Sequence, residues 1–150
     1  MAAITKSAPI QLDTAPCAVA PNGYPQGLDV LFIDPSGPSK ITGLVAGEAL
    51  ANGDACYISS TGQVFRSTGA AANAAAKVDG FSLQDAGAGA SVSLLSNCSL
   101  AYGSGLTPGT RYYLSGTVPG GLDTAPSAGG TQPIAMAVDA RRVYVFQSRY

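Results

Sequence analysis

The chain has 150 residues, of which 46% are hydrophobic and only 11% are charged, and its formal net charge is −1. The hydrophobic content excludes an intrinsically disordered chain, and the charge balance gives no electrostatic footprint for nucleic acid. No stretch approaches the roughly 18 consecutive apolar residues of a membrane helix. Because a typical soluble domain is about 25% charged, we expect a partner protein or another copy of the chain to cover much of this surface.

The first 40 residues are rich in proline, and they predict an extended arm with one strand at residues 28–34. Six of the ten prolines lie here, and proline fixes φ and lacks the N–H donor that helices and central strands need. The opening residues, MAAITKSAPI, lack the apolar core of a signal peptide, so we expect synthesis in the cytoplasm. The candidate contact residues for a partner are apolar side chains of this arm: Ile10, Leu12, Leu28, Val30, Leu31 and Phe32.

Residues 41–150 predict one β domain made of short strands. Tyr, Val, Phe and Ile recur with partial alternation, which suits a half-buried sheet, and Gly, Asn and Asp separate the strands. The predicted strands span residues 54–59, 62–67, 78–83, 90–96, 110–116, 132–139 and 141–147. In the last of these, Val143 and Val145 should face one side, and Arg142, Tyr144 and Phe146 the other. The alanine-rich stretch at 67–77 lacks large apolar anchors, so we expect a loop or one helical turn there.

The second half of the chain repeats the first. Shifted by 56 positions, LANGDACYISSTG (50–62) aligns with LTPGTRYYLSGTV (106–118). Gly53 and Gly109 coincide, in Asn-Gly and Pro-Gly pairs that are strong turn signals, so both are predicted to be structural turn residues. We predict an internal repeat at approximately 44–98 and 100–147. The fold expected is a small β-barrel or sandwich of two similar tandem β units, with the proline-rich arm at 1–40; chance likeness between two glycine-rich hairpins is the alternative.

The residue types that most catalytic and metal sites use are scarce. The chain has no histidine, so Ser-His-Asp and Cys-His arrangements cannot form. The three cysteines, Cys17, Cys56 and Cys98, are widely spaced without a C-x-x-C pair. This pattern predicts small hydrophobic residues in a reducing compartment, without a disulfide, in place of zinc ligands.

Carboxylates offer only weak candidates for chemistry. Glu48 and Asp54 flank the first turn, and Asp79 and Asp85 flank a predicted strand, but aspartates beside glycines mostly form turns. No phosphate-binding, dinucleotide-binding or calcium-loop motif is present. We therefore expect no enzyme activity, no cofactor and no bound metal.

The chain resembles the capsid cement, or head decoration, proteins of tailed bacteriophages over two runs, VAGEALANGDACYISSTGQVFRS (45–67) and KVDGFSLQDAGAGASVSLL (77–95). The second half, 105–145, is similar to a module common in phage virion proteins, tail fibres included. Together these similarities cover about residues 44–147. The residues that match the cement pattern are Gly47, Glu48, Leu50, Gly53, Asp54, Tyr57, Ile58, Gly62, Val64, Gly80, Ala86, Gly89 and Val92.

The resemblance implies a small, often trimeric β protein that docks on the outside of the expanded capsid lattice and stabilises it without catalysing a reaction. The major capsid protein is then the expected partner, and the virion exterior is the expected location. A homo-oligomer, with a trimer favoured, is expected on the same ground.

A tail-fibre or baseplate module that binds a host-surface glycan is the alternative function. Tyrosines can stack on sugars, and Tyr112 and Tyr113 are the candidates for this role, although tyrosines more often fill strand faces or interfaces. Arginines gather near the C-terminus at Arg141, Arg142 and Arg149. They favour a solvated or interface role over a phosphate-binding patch.

Overall fold

The computed structural model describes residues 19–20, 24–25 and 39–147. The chain divides into two units, Met1–Gly37 and Pro38–Tyr150. In the first unit, the described residues form two short antiparallel strands, β1 (Val19–Ala20) and β2 (Tyr24–Pro25). The strand predicted at 28–34 lies outside the described residues, as do the candidate contact residues Ile10, Leu12, Leu28, Val30, Leu31 and Phe32.

Residues 39–147 form β-strands, turns and loops with one short 3-10 helix, Ala74–Ala76. The predicted all-β fold is confirmed, and the described residues contain no α-helix. The strands are β3 (Ser39–Ala46), β4 (Ala55–Ile58), β5 (Gln63–Arg66), β6 (Gly80–Ser82), β7 (Ser91–Ser96), β8 (Cys98–Ala101), β9 (Arg111–Leu114), β10 (Leu122–Asp123), β11 (Pro133–Ala137) and β12 (Arg142–Val145).

The strands β3 to β7 close into a barrel in the order β3-β5-β4-β6-β7. The parallel pair β3–β5, through Val45 opposite Gln63, completes the closure, and all other neighbours are antiparallel. β3 pairs with β7 on its other side, with a register shift between Ile41 and Leu44. Gly43 stands at this irregularity with a φ of 76°, a conformation that favours glycine. The barrel interior consists of Ala46, Leu50, Cys56, Val64, Ala86, Val92 and Leu94.

The remaining strands form a second sheet that follows the strand order of the barrel. Its order is β10-β9-β11-β12-β8, and the barrel reads β5-β4-β6-β7-β3 when it is taken from β5. The two sheets therefore match strand for strand, with β4 and β9 separated by the same 56 positions as the sequence repeat. The barrel is closed by β3 and β5, whereas their counterparts β8 and β10 are the two edges of an open sheet.

A second hydrophobic core joins the barrel to the open sheet. Phe81 and Ala55 point outward from the barrel, and both are fully buried. From the other side, Val143 and Val145 point inward from β12, which confirms the predicted orientation of that strand. The members of this shared core are Ala55, Ala76, Val78, Phe81, Leu114, Ile134, Ala135, Val143 and Val145. The open sheet thus completes its core with side chains of the barrel.

Backbone hydrogen bonds reinforce the same junction. The Ala55 N–H donates to the Gly120 carbonyl at 2.9 Å, and the Gly120 N–H donates to the Ser67 carbonyl at 2.7 Å. The Gly69 N–H likewise donates to the Ser115 carbonyl at 2.8 Å. Because these bonds lie at buried residues, they satisfy backbone groups that cannot reach water and tie the loops to the strands beside them.

Candidate interaction surfaces

The glutamate of the cement-like run is a structural residue. The Glu48 carboxylate accepts the Arg66 backbone N–H through Oε1 and the Arg66 guanidinium through Oε2, each at 2.9 Å. Burial raises the pKa of Glu48, but the hydrogen bonds and the charge of Arg66 outweigh burial, so the pKa lies below its ordinary value. Glu48 therefore ties the end of β5 to the loop after β3.

The aspartates singled out in the sequence also bond to the backbone. Asp54 accepts the Ala51 N–H at 2.8 Å, and Asp85 accepts the Asn52 N–H at 2.9 Å, both in the turn before β4. Asp79 accepts the Ile58 N–H at 2.8 Å and stands 3.9 Å from the Lys77 ammonium. In the described part of the chain, no group of three or more His, Cys, Asp or Glu side chains is placed to hold a metal ion.

The two described cysteines are free thiols. Cys56 lies inside the barrel and is fully buried. Burial, with a further contribution from the Asp54 charge, raises its pKa to about 12. Cys98 is half-buried at the start of β8, and burial raises its pKa as well. Neither thiol has the low pKa that a nucleophilic cysteine requires.

A cavity of about 440 Å³ opens at the end of β4, lined by Tyr57, Ile58, Ser59, Ser60, Ala74 and Lys77. The Tyr57 ring stacks on Phe65, with centroids 6.0 Å apart. Lys77 brings a positive charge to the lining. The cavity thus combines one aromatic ring, hydroxyl groups and one ammonium. Tyr112 and Tyr113, the tyrosines considered from the sequence, are half-buried on opposite faces of β9, and Tyr112 packs on the shared core.

The outer face of the second sheet carries a row of large side chains across four strands. Met136 pairs with Arg111 on one side and with Tyr144 on the other, and Tyr144 pairs with Ser99. Phe146 extends the row, with its ring centroid 5.6 Å from that of Tyr144. Alternation along each strand points these side chains away from the core. We call the surface formed by Ser99, Arg111, Met136, Tyr144 and Phe146 the Arg111–Tyr144 face.

Arginines border this face at the turn between β11 and β12. A cavity of about 450 Å³ here is lined by Ala101, Asp139, Ala140, Arg141 and Arg142. Asp139 accepts the N–H groups of Arg141 and Arg142 at 2.8 Å each, and it pairs with the Arg142 guanidinium at 2.6 Å. Hydrogen bonds from the Arg141 N–H and the Arg142 side chain lower the pKa of Asp139. In residues 39–147, the guanidinium groups of Arg111 and Arg141 form no ion pair.

The comparisons with known proteins add no assignment. No protein-family model matches the sequence, and no curated protein is significantly similar to it. Over the stretch that the structure describes, no helix has the length and apolar character needed to cross a membrane. The sequence favours a solvated or interface role for the C-terminal arginines. It does not reveal the whole Arg111–Tyr144 face, since strand register is what brings Arg111 and Ser99 beside Met136 and Tyr144.

Proposed function

We propose that this protein is a structural component of a tailed-phage virion that binds the outer surface of the capsid lattice and stabilises it, without catalysing a reaction. The observation that carries the proposal is the cement-like pattern in residues 45–67 and 77–95, considered with its place in the fold. Its apolar members Leu50, Val64 and Val92 lie in the barrel interior. Three of its five glycines, Gly53, Gly62 and Gly89, have a positive φ, at 91°, 84° and 86°. The pattern therefore describes a whole barrel scaffold.

The composition of the chain supports a role in assembly. A chain of which only 11% of the residues are charged has few charges to expose, which suits burial against other subunits. A protein that binds only the expanded lattice stabilises that lattice by mass action, by about 2.7 kcal/mol per site when its concentration is 100 times Kd. Many equivalent sites in a symmetric array multiply this effect. The major capsid protein is the proposed partner, and a homo-oligomer, with a trimer favoured, is the proposed form.

Copy number in purified virions tests this proposal. Quantitative mass spectrometry should find hundreds of copies per particle, in a simple ratio to the major capsid protein. A dozen copies or fewer would place the protein in the tail or portal, and its absence from virions would remove the virion assignment. Capsids that lack the protein should also rupture at a lower temperature than capsids to which it has been added back.

A glycan-binding module of a tail fibre or baseplate is the second candidate, and the cavity beside Tyr57 favours it. An aromatic ring next to the hydroxyls of Ser59 and Ser60 and the Lys77 ammonium provides both a stacking surface and polar groups for a sugar. Adsorption of the isolated protein to host cells would support this function. Loss of adsorption in Tyr57→Ala, with a copy number of about a dozen, would establish it over the capsid proposal.

A further inference from the structure

We infer that the Arg111–Tyr144 face is the surface through which this protein docks on a protein lattice that presents carboxylates. The inference rests on the capsid function proposed above and assigns a docking surface to it. It is independent of the N-terminal arm, whose candidate residues lie outside the described part of the chain.

The geometry of the face suits a planar contact. Arg111, Met136, Tyr144 and Ser99 stand directly opposite one another on four adjacent strands. Neighbouring strands are about 4.8 Å apart, so the row spans roughly 15 Å. The strands beneath are anchored by the fully buried Val143 and Val145. The side chains are therefore displayed by a rigid sheet, which keeps the entropy cost of docking low.

The composition of the face is that of an interface core. Arginine, tyrosine, phenylalanine and methionine are enriched where proteins bind one another, and lysine and glutamate are depleted there. Residues 98–147 contain three arginines and two aspartates but neither lysine nor glutamate. Tyr144, Met136 and Phe146 are half-buried in the isolated chain, so a partner can still remove their exposed apolar area from water.

The charges of the face select the partner. Arg142 is paired with Asp139, but Arg111 and Arg141 have no carboxylate partner in residues 39–147. An arginine at an interface is best satisfied by a carboxylate that accepts two parallel hydrogen bonds. A second copy of the same face offers no free carboxylate, because Asp139 at its border is already bonded to Arg142. The face therefore fits a partner surface with carboxylates around an apolar centre.

Single substitutions on the face, compared with one on the barrel, provide the test. Arg111→Glu and Tyr144→Ala are the test variants, and the matched control is Lys40→Glu, which reverses one exposed charge on β3. The probe is the parent phage's expanded capsid assembled without this protein, and binding is measured by co-sedimentation at two ionic strengths. We expect wild type and Lys40→Glu to bind alike, and both test variants to bind at least tenfold more weakly. The affinity of wild type should fall as salt is raised.

Each other outcome overturns a defined part of the inference. If wild type binds and both test variants match it, the docking face is wrong while the capsid function stands. If wild type does not bind, the capsid function and this inference fail together. If Arg111→Glu instead dissociates a wild-type oligomer in analytical ultracentrifugation, the face is a contact between copies and the acidic partner is wrong. Circular dichroism of each variant confirms that the fold is retained.

Discussion

Gly53 and Gly109 occupy the same position of the same turn in the two halves of the protein. Their φ angles are 91° and 84°. The Gly53 N–H donates to the Ser82 carbonyl at the end of β6, and the Gly109 N–H donates to the Ala137 carbonyl at the end of β11, both at 2.8 Å. Each glycine thus connects the turn before one strand to the end of a neighbouring strand.

Valine at either glycine should destabilise the fold to a similar degree. A β-branched residue is strongly disfavoured at positive φ, so we expect Gly53→Val and Gly109→Val each to lower the free energy of unfolding by about 1–3 kcal/mol. Urea denaturation measures the change. Gly103→Val is the control, because Gly103 lacks a positive φ and has open space around its Cα. A silent change at one of the two turn glycines would show that the two turns are not equivalent.

The ion pair between Glu48 and Arg66 should make stability depend on pH on the acid side. The pKa of Glu48 is lowered in the folded state from its ordinary value of 4.5. Its contribution is therefore present above pH 4.5 and is lost as the pH falls through the folded pKa. Because the pair is about one-third exposed, we expect about 1 kcal/mol at pH 7.

Melting curves of wild type and Glu48→Gln between pH 7 and pH 3 check this expectation. The difference in Tm should be largest near neutral pH and should shrink as the solution is acidified. Asp123→Asn, a change on the exposed edge strand β10, is the control. The difference in Tm between this variant and the wild type should stay small over the whole pH range. A difference that grows in acid would contradict the assigned direction of the pKa shift.

The Cys56 thiol should react only when the protein unfolds. It is fully buried, and with a pKa of about 12 it holds almost no thiolate at pH 8. In a variant with Cys17→Ser and Cys98→Ser, alkylation by iodoacetamide, followed by mass spectrometry, should proceed at the rate of opening of the fold. Labelling within minutes in native buffer would refute this. For the wild type, reducing agent should not change Tm.

The barrel and the open sheet should unfold together, because Phe81 lies in the core that they share. Phe81→Ala should cost about 3–5 kcal/mol, the usual range for a buried phenylalanine. Near-UV and far-UV circular dichroism should show one coincident transition in the variant, shifted to lower denaturant. Val118→Ala, at a side chain that is 59% exposed, should have little effect. Two separate transitions would mean that the sheets are independent.

Deletion of residues 1–27 should leave the β domain folded but weaken capsid binding, if the apolar side chains Ile10 and Leu12 of the arm contact the proposed partner. Co-sedimentation with capsids measures binding, and circular dichroism measures the fold. Replacement of the same residues by a Gly/Ser linker of equal length separates loss of contacts from loss of length. Unchanged binding after deletion would rule out residues 1–27, with Ile10 and Leu12, as a contact; the candidates Leu28, Val30, Leu31 and Phe32 remain in the shortened chain.

The sequence predicted the strands that are marked by nearby turn residues or by alternating apolar side chains. The strand at 54–59 contains β4 because Tyr57 and Ile58 follow an Asn-Gly turn, and the strand at 141–147 contains β12 because its valines alternate. β8 was missed because a single residue, Asn97, separates it from β7. Asn97 has a φ of 55° and allows the chain to change sheets there.

Long-range features could not be read from the sequence. The closure of the barrel depends on β3 pairing in parallel with β5, and nothing in either strand specifies that partner. The proposed docking face joins Met136 and Tyr144, which oppose each other across the β11–β12 hairpin, to Arg111 on β9, which reaches Met136 only through strand register. The sequence indicated one part of this face: alternation in residues 141–147 placed Tyr144 and Phe146 on the side opposite Val143 and Val145.

The asymmetry between the closed barrel and the open sheet has a consequence for synthesis on the ribosome. All strands of the barrel lie between Ser39 and Ser96, so its ring of hydrogen bonds can be completed before the last third of the chain emerges. The open sheet needs Phe81 and Ala55 to fill its core, and these residues are already in place when its own strands appear. The earlier part of the chain thus presents a surface on which the later strands can assemble, and a nascent chain that ends after β7 would leave Phe81 uncovered until the second sheet forms.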